Sequence, residues 1–160
     1  MNVFAHSNGS DTAKWQTLQD HCKAVARLAA SFASAFASGA HGRLTGELHD
    51  AGKARPAFQS YLKRCNGIED SEADYGDHSH SGAGACWLEK NCGAFGKALA
   101  YCVAGHHAGL PDWSGGEAPN GALAIRLKED MPVLSEDNVN AWIYAHETAW
   151  LKERDRKSVV

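Results

Sequence analysis

Trp15, Leu18, Cys22, Val25, Leu28 and Phe32 recur every three or four residues, and this spacing puts them along one side of an α-helix. Asp11 or Ser10 precedes the stretch as a capping residue, Gly39 follows it, and His21 shares its apolar side. The same period returns downstream. A short second helix carries Leu44 and Leu48 into His49 and Asp50 and stops near Gly52. Pro56 suits the first turn of a third helix, with Phe58, Tyr61, Leu62 and Cys65 inward. Ser79 or Ser81 caps a fourth through Trp87 and Leu88, a fifth spans about 95–106, and two more lie near 121–129 and 136–155. No segment alternates like a strand and no internal repeat occurs, so the expectation is an all-α fold with a single domain over 1–160.

Composition narrows the function. The 160 residues suffice for one real core, and 44% hydrophobic with 22% charged residues is ordinary for a globular chain. No apolar run approaches the roughly 18 residues of a membrane span, and no signal-peptide pattern opens the chain. The five cysteines form no Cys-x-x-Cys pair, which fits a reducing cytoplasm rather than a disulfide framework. A net charge of −3 confines any contact with nucleic-acid phosphates to a local patch. Between about 66 and 77 five acids occur without a basic residue, which reads as a solvated loop, and the glycine- and proline-rich 108–120 reads as another.

The chemistry sits in the histidines. His106 and His107 stand between glycines at the end of an apolar stretch, poor core material but suitable for holding a metal where a helix gives way to a loop. Upstream are His49 and Asp50, then His78 and His80. Imidazole and carboxylate together suit a divalent transition metal, and a carboxylate bridges two. Adjacent helical residues point about 100° apart, so His49 and Asp50 share a centre only where the helix ends at a concavity. Lys53 lies one turn on, where an ammonium would neutralise a phosphate. Lys53, Arg55, Lys63 and Arg64 make a local basic stretch, either a phosphate track or a solvated helix face. His6, His41 and His146 join no cluster and read as structural. No Gly-x-x-x-x-Gly-Lys loop is present, so ATP is not bound by that route.

Taken in order, these residues resemble a known family. Phe4-Ala5-His6-Ser7, Trp15 with Leu18 and His21 before Val25-Ala26, and His49-Asp50-Ala51-Gly52-Lys53 with Phe58-Gln59 come first. Asp77-His78-Ser79 before Gly82-Ala83, and Gly105-His106-His107-Ala108-Gly109-Leu110-Pro111, complete the series over about residues 5–112. It is similar to the HD nuclease domain of the CRISPR-associated helicase-nuclease of type I interference systems, within the HD phosphohydrolase superfamily.

The resemblance implies an all-helical domain that binds one or two divalent metal ions (Mn, Fe, Ni or Co rather than Mg) and cuts single-stranded DNA in antiviral defence. It implies a first metal on His21, His49 and Asp50, with Asp50 bridging to a second on His78, His106 and His107, and Lys53 beside the scissile phosphate. It further implies a helicase module, fused or separate, and an RNA-guided surveillance complex as partners. His-Ser-x-x-Gly-Ala fits from His78 and again from His80; the preceding Asp77 favours His78. The family adds a late helical aspartate in an Ala-Asp context. After His107 the candidates are Asp112, Asp130, Asp137 and Asp155, none so placed, so the motif lies beyond Val160 or is missing. Two other readings stay open: a phosphohydrolase acting on nucleotides or cyclic dinucleotides, and a metal-binding interaction module without catalysis.

Overall fold

The computed structural model describes residues 3–68, 78–107, 109–114 and 121–130. Within them the chain forms six α-helices and one two-stranded antiparallel sheet. The helices are α1 (Leu18–Ala33), α2 (Gly39–Leu48), α3 (Pro56–Cys65), α4 (Ser81–Asn91), α5 (Gly93–Ala104) and α6 (Leu123–Asp130). The all-α expectation holds, and Pro56 opens α3 as expected. The anticipated helix near 136–155, His146 and most of the acidic loop lie outside the described residues.

The sheet is the element that periodicity missed. Strands β1 (Phe4–His6) and β2 (Gln16–Thr17) are too short to show an alternating pattern. Because β2 occupies the approach to α1, that helix begins at Leu18 rather than beside Asp11. Thr17 caps it by accepting the Asp20 N–H at 3.1 Å, while Asp11 caps a 3-10 turn over Thr12–Lys14. The other end differs too: α1 gives way at Ala33 to a 3-10 turn, Ala37 takes the left-handed conformation at φ 58°, and Gly39 starts α2 instead of closing α1.

The α1 face that meets α2 is rotated from the one its large residues mark. Leu18, Cys22, Ala26 and Ala33 are buried, whereas Leu28 and Phe32 are 59% and 73% exposed. The cause is close helix approach. A Cβ on Gly46 would stand 2.6 Å from the Ala26 Cα, and one on Gly42 2.7 Å from the Ala33 Cβ. Only small residues fit between these helices, and the bulky ones turn outward.

One large and two small apolar clusters flank the site. Leu44, Leu48, Leu88, Val103, Leu123 and Leu127 knit α2, α4, α5 and α6 into the larger core. On the other side Ala5, Leu18 and Cys22 form one small cluster, and Trp15, Phe58 and Leu62 another. The polar centre lies where the end of α2 passes between them.

Candidate metal centre

The centre is built around Asp50. Helix α2 ends at Leu48, His49 is its C-cap, and Asp50 leaves the helical path at φ −110° and ψ 13° to open a 3-10 turn, Ala51–Ala54. That break turns both adjacent side chains toward one point. Asp50 is only 2% exposed. Its Oδ2 lies 3.1 Å from His21 Nε2, 3.3 Å from His49 Nε2 and 2.9 Å from Lys53 Nζ. Its Oδ1 faces the other way, with His80 Nε2 at 3.4 Å and His106 Nε2 at 3.5 Å. His107 joins that second side, its Nε2 2.8 Å from His80 Nε2.

Glycines make these approaches possible. A Cβ on Gly52 would meet His80, 2.7 Å from its Cα, so the turn after Asp50 presses directly on the backbone that presents His80. A Cβ on Gly84 would stand 2.9 Å from the Leu48 carbonyl carbon, which seats α4 against the end of α2. Downstream, Gly109 takes φ 86° and donates its N–H to the Gly105 carbonyl at 2.8 Å, closing the turn that carries His106 and His107. Lys97 sits over the Trp113 ring at 3.5 Å and holds the following segment against α5.

The donor set fits a cation. His49 Nδ1 donates to the Gly46 carbonyl at 2.8 Å and His106 Nδ1 to the Val103 carbonyl at 2.6 Å. A carbonyl only accepts, so each Nδ1 carries hydrogen, and in the neutral ring each Nε2 is left with a lone pair facing the centre. His80 repeats the arrangement on the His78 carbonyl at 3.2 Å. Several lone pairs and a buried carboxylate therefore converge. Asp50 Oδ1 has no hydrogen-bond partner among the described residues despite its burial. Two groups bring their ligand atoms within 4.8 Å of one another: Asp50, His80, His106 and His107, and His6, His21 and Asp50.

Electrostatics point the same way. Burial works to raise the Asp50 pKa, yet contacts with His106, His49 and Lys53 prevail and hold the carboxyl well below the usual carboxylate range. Burial lowers the His21 and His80 pKa values, keeping both imidazoles in the neutral, ligating form. For His106 burial also pulls down, but the Asp50 carboxylate and the Val103 carbonyl raise the net value. The Cys22 thiol is pushed up to about 12, first by burial and then by the charge of Asp50, so it packs as a small neutral side chain.

Of the residues singled out in the sequence, His21, His49, Asp50, Lys53, His106 and His107 meet here, and His80 joins them. His78 does not: its ring stacks on Tyr61 at 5.0 Å and 19°. His80, whose backbone lies against Gly52, faces Asp50 instead. Lys53 is not a solvated lysine at a helix end; it is 5% exposed and also donates to the Ala5 carbonyl at 3.3 Å. Arg55 ends the 3-10 turn, half-buried. Asp112 stands apart from both groups, and the side chains of Asp130, Asp137 and Asp155 lie outside the described residues. His6, set aside in the sequence as structural, lies in the centre. Its signal was weak because it lies outside the helical period, separated from α1 (Leu18–Ala33) by a 3-10 turn and a second strand.

No helix among the described residues is long and apolar enough to cross a membrane. No curated protein matches the chain. The family model described as "Cas3, HD domain" matches residues 5–158, nearly the full length, and the helical architecture with its central His/Asp cluster agrees with it: the chain belongs to the Cas3 HD-domain family of CRISPR type I systems.

Proposed function

We propose that this domain hydrolyses phosphodiester bonds of single-stranded DNA at a centre of two divalent metal ions. The observation that carries this reading is the division around Asp50: its Oδ2 faces His21 and His49, and its Oδ1 faces His80 and His106, with His107 beside them. A carboxylate with different imidazoles on its two oxygens is arranged to bridge two ions. On this reading His21, His49 and Asp50 hold one, and Asp50, His80, His106 and His107 the other. Imidazole-rich sites favour Mn, Fe, Ni or Co over Mg, which prefers oxygen ligands. Held there, such ions would lower the pKa of a water so that its hydroxide form attacks phosphorus, and would offset the charge of the phosphate oxygens.

The protein's own groups do the rest. Carbonyl partners on Nδ1 hold His49 and His106 in one tautomer and one orientation. Lys53 uses two of its three N–H directions on Asp50 and Ala5, and the third is its means of meeting a phosphate oxygen. No nucleophilic side chain is required. In the cell, a helicase module, fused or separate, passes the strand displaced by the RNA-guided surveillance complex to this centre, in the cytoplasm. Family membership supports that assignment.

The test is incubation of the purified chain with circular single-stranded DNA across a panel of divalent ions. Expected are linear and shorter products with Mn²⁺, Ni²⁺ or Co²⁺ and none in chelator. Release of phosphate from nucleotides or cyclic dinucleotides, with DNA intact at every ion, would assign the same centre to small-molecule hydrolysis instead. Stoichiometric metal binding without any hydrolysis would make the domain a binding module.

A further inference from the structure

His6 is exposed at the end of β1, yet its ring nitrogen lies within 4.8 Å of the ligand atoms of His21 and Asp50. Its ring meets that of His21 edge-on, with centroids 4.7 Å apart at 80°. This placement is held by the backbone around it. The Gln59 side chain clasps Phe4 at both polar atoms, accepting its N–H at 2.9 Å and donating to its carbonyl at 2.8 Å. Leu18 N–H bonds the Val3 carbonyl at 2.8 Å, and Lys53 bonds that of Ala5. Side chains alternate along a strand, so with Ala5 buried at 1% exposure, Phe4 and His6 leave on the other side. Phe4 lands on Trp15 and His6 on His21.

We propose that His6 is a direct ligand of the ion held on the Oδ2 side of Asp50, completing a set of three imidazoles (His6, His21 and His49) and one carboxylate. This rests on the reading of the cluster as a metal centre. It adds a donor from an element far from the other ligands in sequence, and it gives that half of the centre the nitrogen-rich character that selects late first-row ions. Edge-on ring packing alone would place His6 beside His21 without any bond to an ion. The two cases differ in what the ion experiences.

The experiment titrates the full chain with Co²⁺, following visible absorption and bound metal together. It compares the natural sequence with His6→Ala, His6→Gln and, as a remote control, His41→Ala, whose ring faces Phe95. The natural chain is expected to bind two ions. Both His6 variants are expected to weaken one of them by about 10-fold or more, since even outer partners of ligands are worth that much. They should also change the cobalt absorption band while leaving the melting temperature in chelator unchanged. His41→Ala should match the natural chain.

Equal affinity and an identical cobalt spectrum for His6→Gln would overturn the proposal while the metal centre stood. Failure of the natural chain to bind Co²⁺, or any other ion of the panel, would remove both. Should His6→Ala melt early in chelator, the ring nitrogens of ¹⁵N-labelled His6 in the natural chain decide: a large shift on Zn²⁺ binding supports ligation, and an unmoved signal excludes it.

Discussion

His80 Nε2 lies 2.8 Å from His107 Nε2 and 3.4 Å from Asp50 Oδ1, while the His78 ring stacks on Tyr61 outside the group. His80→Ala is therefore expected to lower bound metal further than His78→Ala, the reverse of the order suggested by Asp77. Metal content per chain after dialysis against a limiting concentration of Mn²⁺ or Co²⁺ reads the difference. Greater loss in His78→Ala would restore His78 to the centre.

Asp50→Ala should lose both ions and all nuclease activity, because both halves of the centre share this one carboxylate. The far-ultraviolet circular dichroism should remain helical, since the apolar faces of α1, α2, α4 and α5 are untouched. Melting should come earlier, because Lys53 is left buried beside the histidines without its anion. Full metal content in Asp50→Ala would place the ions elsewhere.

Lys53→Ala should keep the metal and slow the single-turnover cleavage rate by roughly 10²–10³, the usual weight of a transition-state electrostatic contact. Lys53→Arg should restore only part, since a planar guanidinium cannot reproduce the contacts to both Asp50 and Ala5. An unchanged rate in Lys53→Ala would confine this side chain to holding Asp50 and β1.

Gly52→Ala tests the approach that seats His80. The added methyl would press on the His80 backbone, 2.7 Å from its Cα, and backbone cannot rotate away as a side-chain tip does. Overpacking of this kind costs about 1–3 kcal/mol. A lower melting temperature and weaker metal retention are expected together; normal values for both would show that the backbone at His80 yields freely.

Acid should loosen the ion-free fold in a definite window. Burial depresses the His21 and His80 pKa values below the ordinary 6.5. The unfolded chain thus takes up protons first, and stability falls as pH drops from about 6.5 toward the depressed folded values. Asp50, also depressed, adds a later loss below the ordinary carboxylate value of 3.8. His6 and His107 are depressed as well, whereas the raised His106 works in the opposite sense and offsets part of the loss. With four depressed rings against one raised, urea midpoints in chelator between pH 8 and 5 should decline on the acid side, and a flat profile would contradict that balance.

Much of this was readable from residue order. The three-to-four-residue recurrence marked the helices, and the adjacency of His49 and Asp50 at a helix end marked the centre. Three things were not. The buried face of α1 is not legible in the sequence because packing against Gly42 and Gly46 rewards the small Ala26 and Ala33 over Leu28 and Phe32. His78 and His80 satisfy the same local pattern, and what distinguishes them, Tyr61 under the His78 ring and Gly52 against the His80 backbone, comes from residues far away in sequence. His6 sits on a three-residue strand whose place is fixed by Gln59, a side chain that no periodicity flags.

The donors around Asp50 begin at His6 and end at His107, so the polypeptide contributes to one small volume from points about a hundred residues apart. An ion gripped by both sides acts as a reversible cross-link across almost the whole described chain, closing a long loop whose freedom in the unfolded state is large. On the proposed ligand set, loading the domain with metal would also tie its first strand to the end of its fifth helix, and chelation should expose the N-terminal segment to proteases before it unwinds the α4–α5 hairpin.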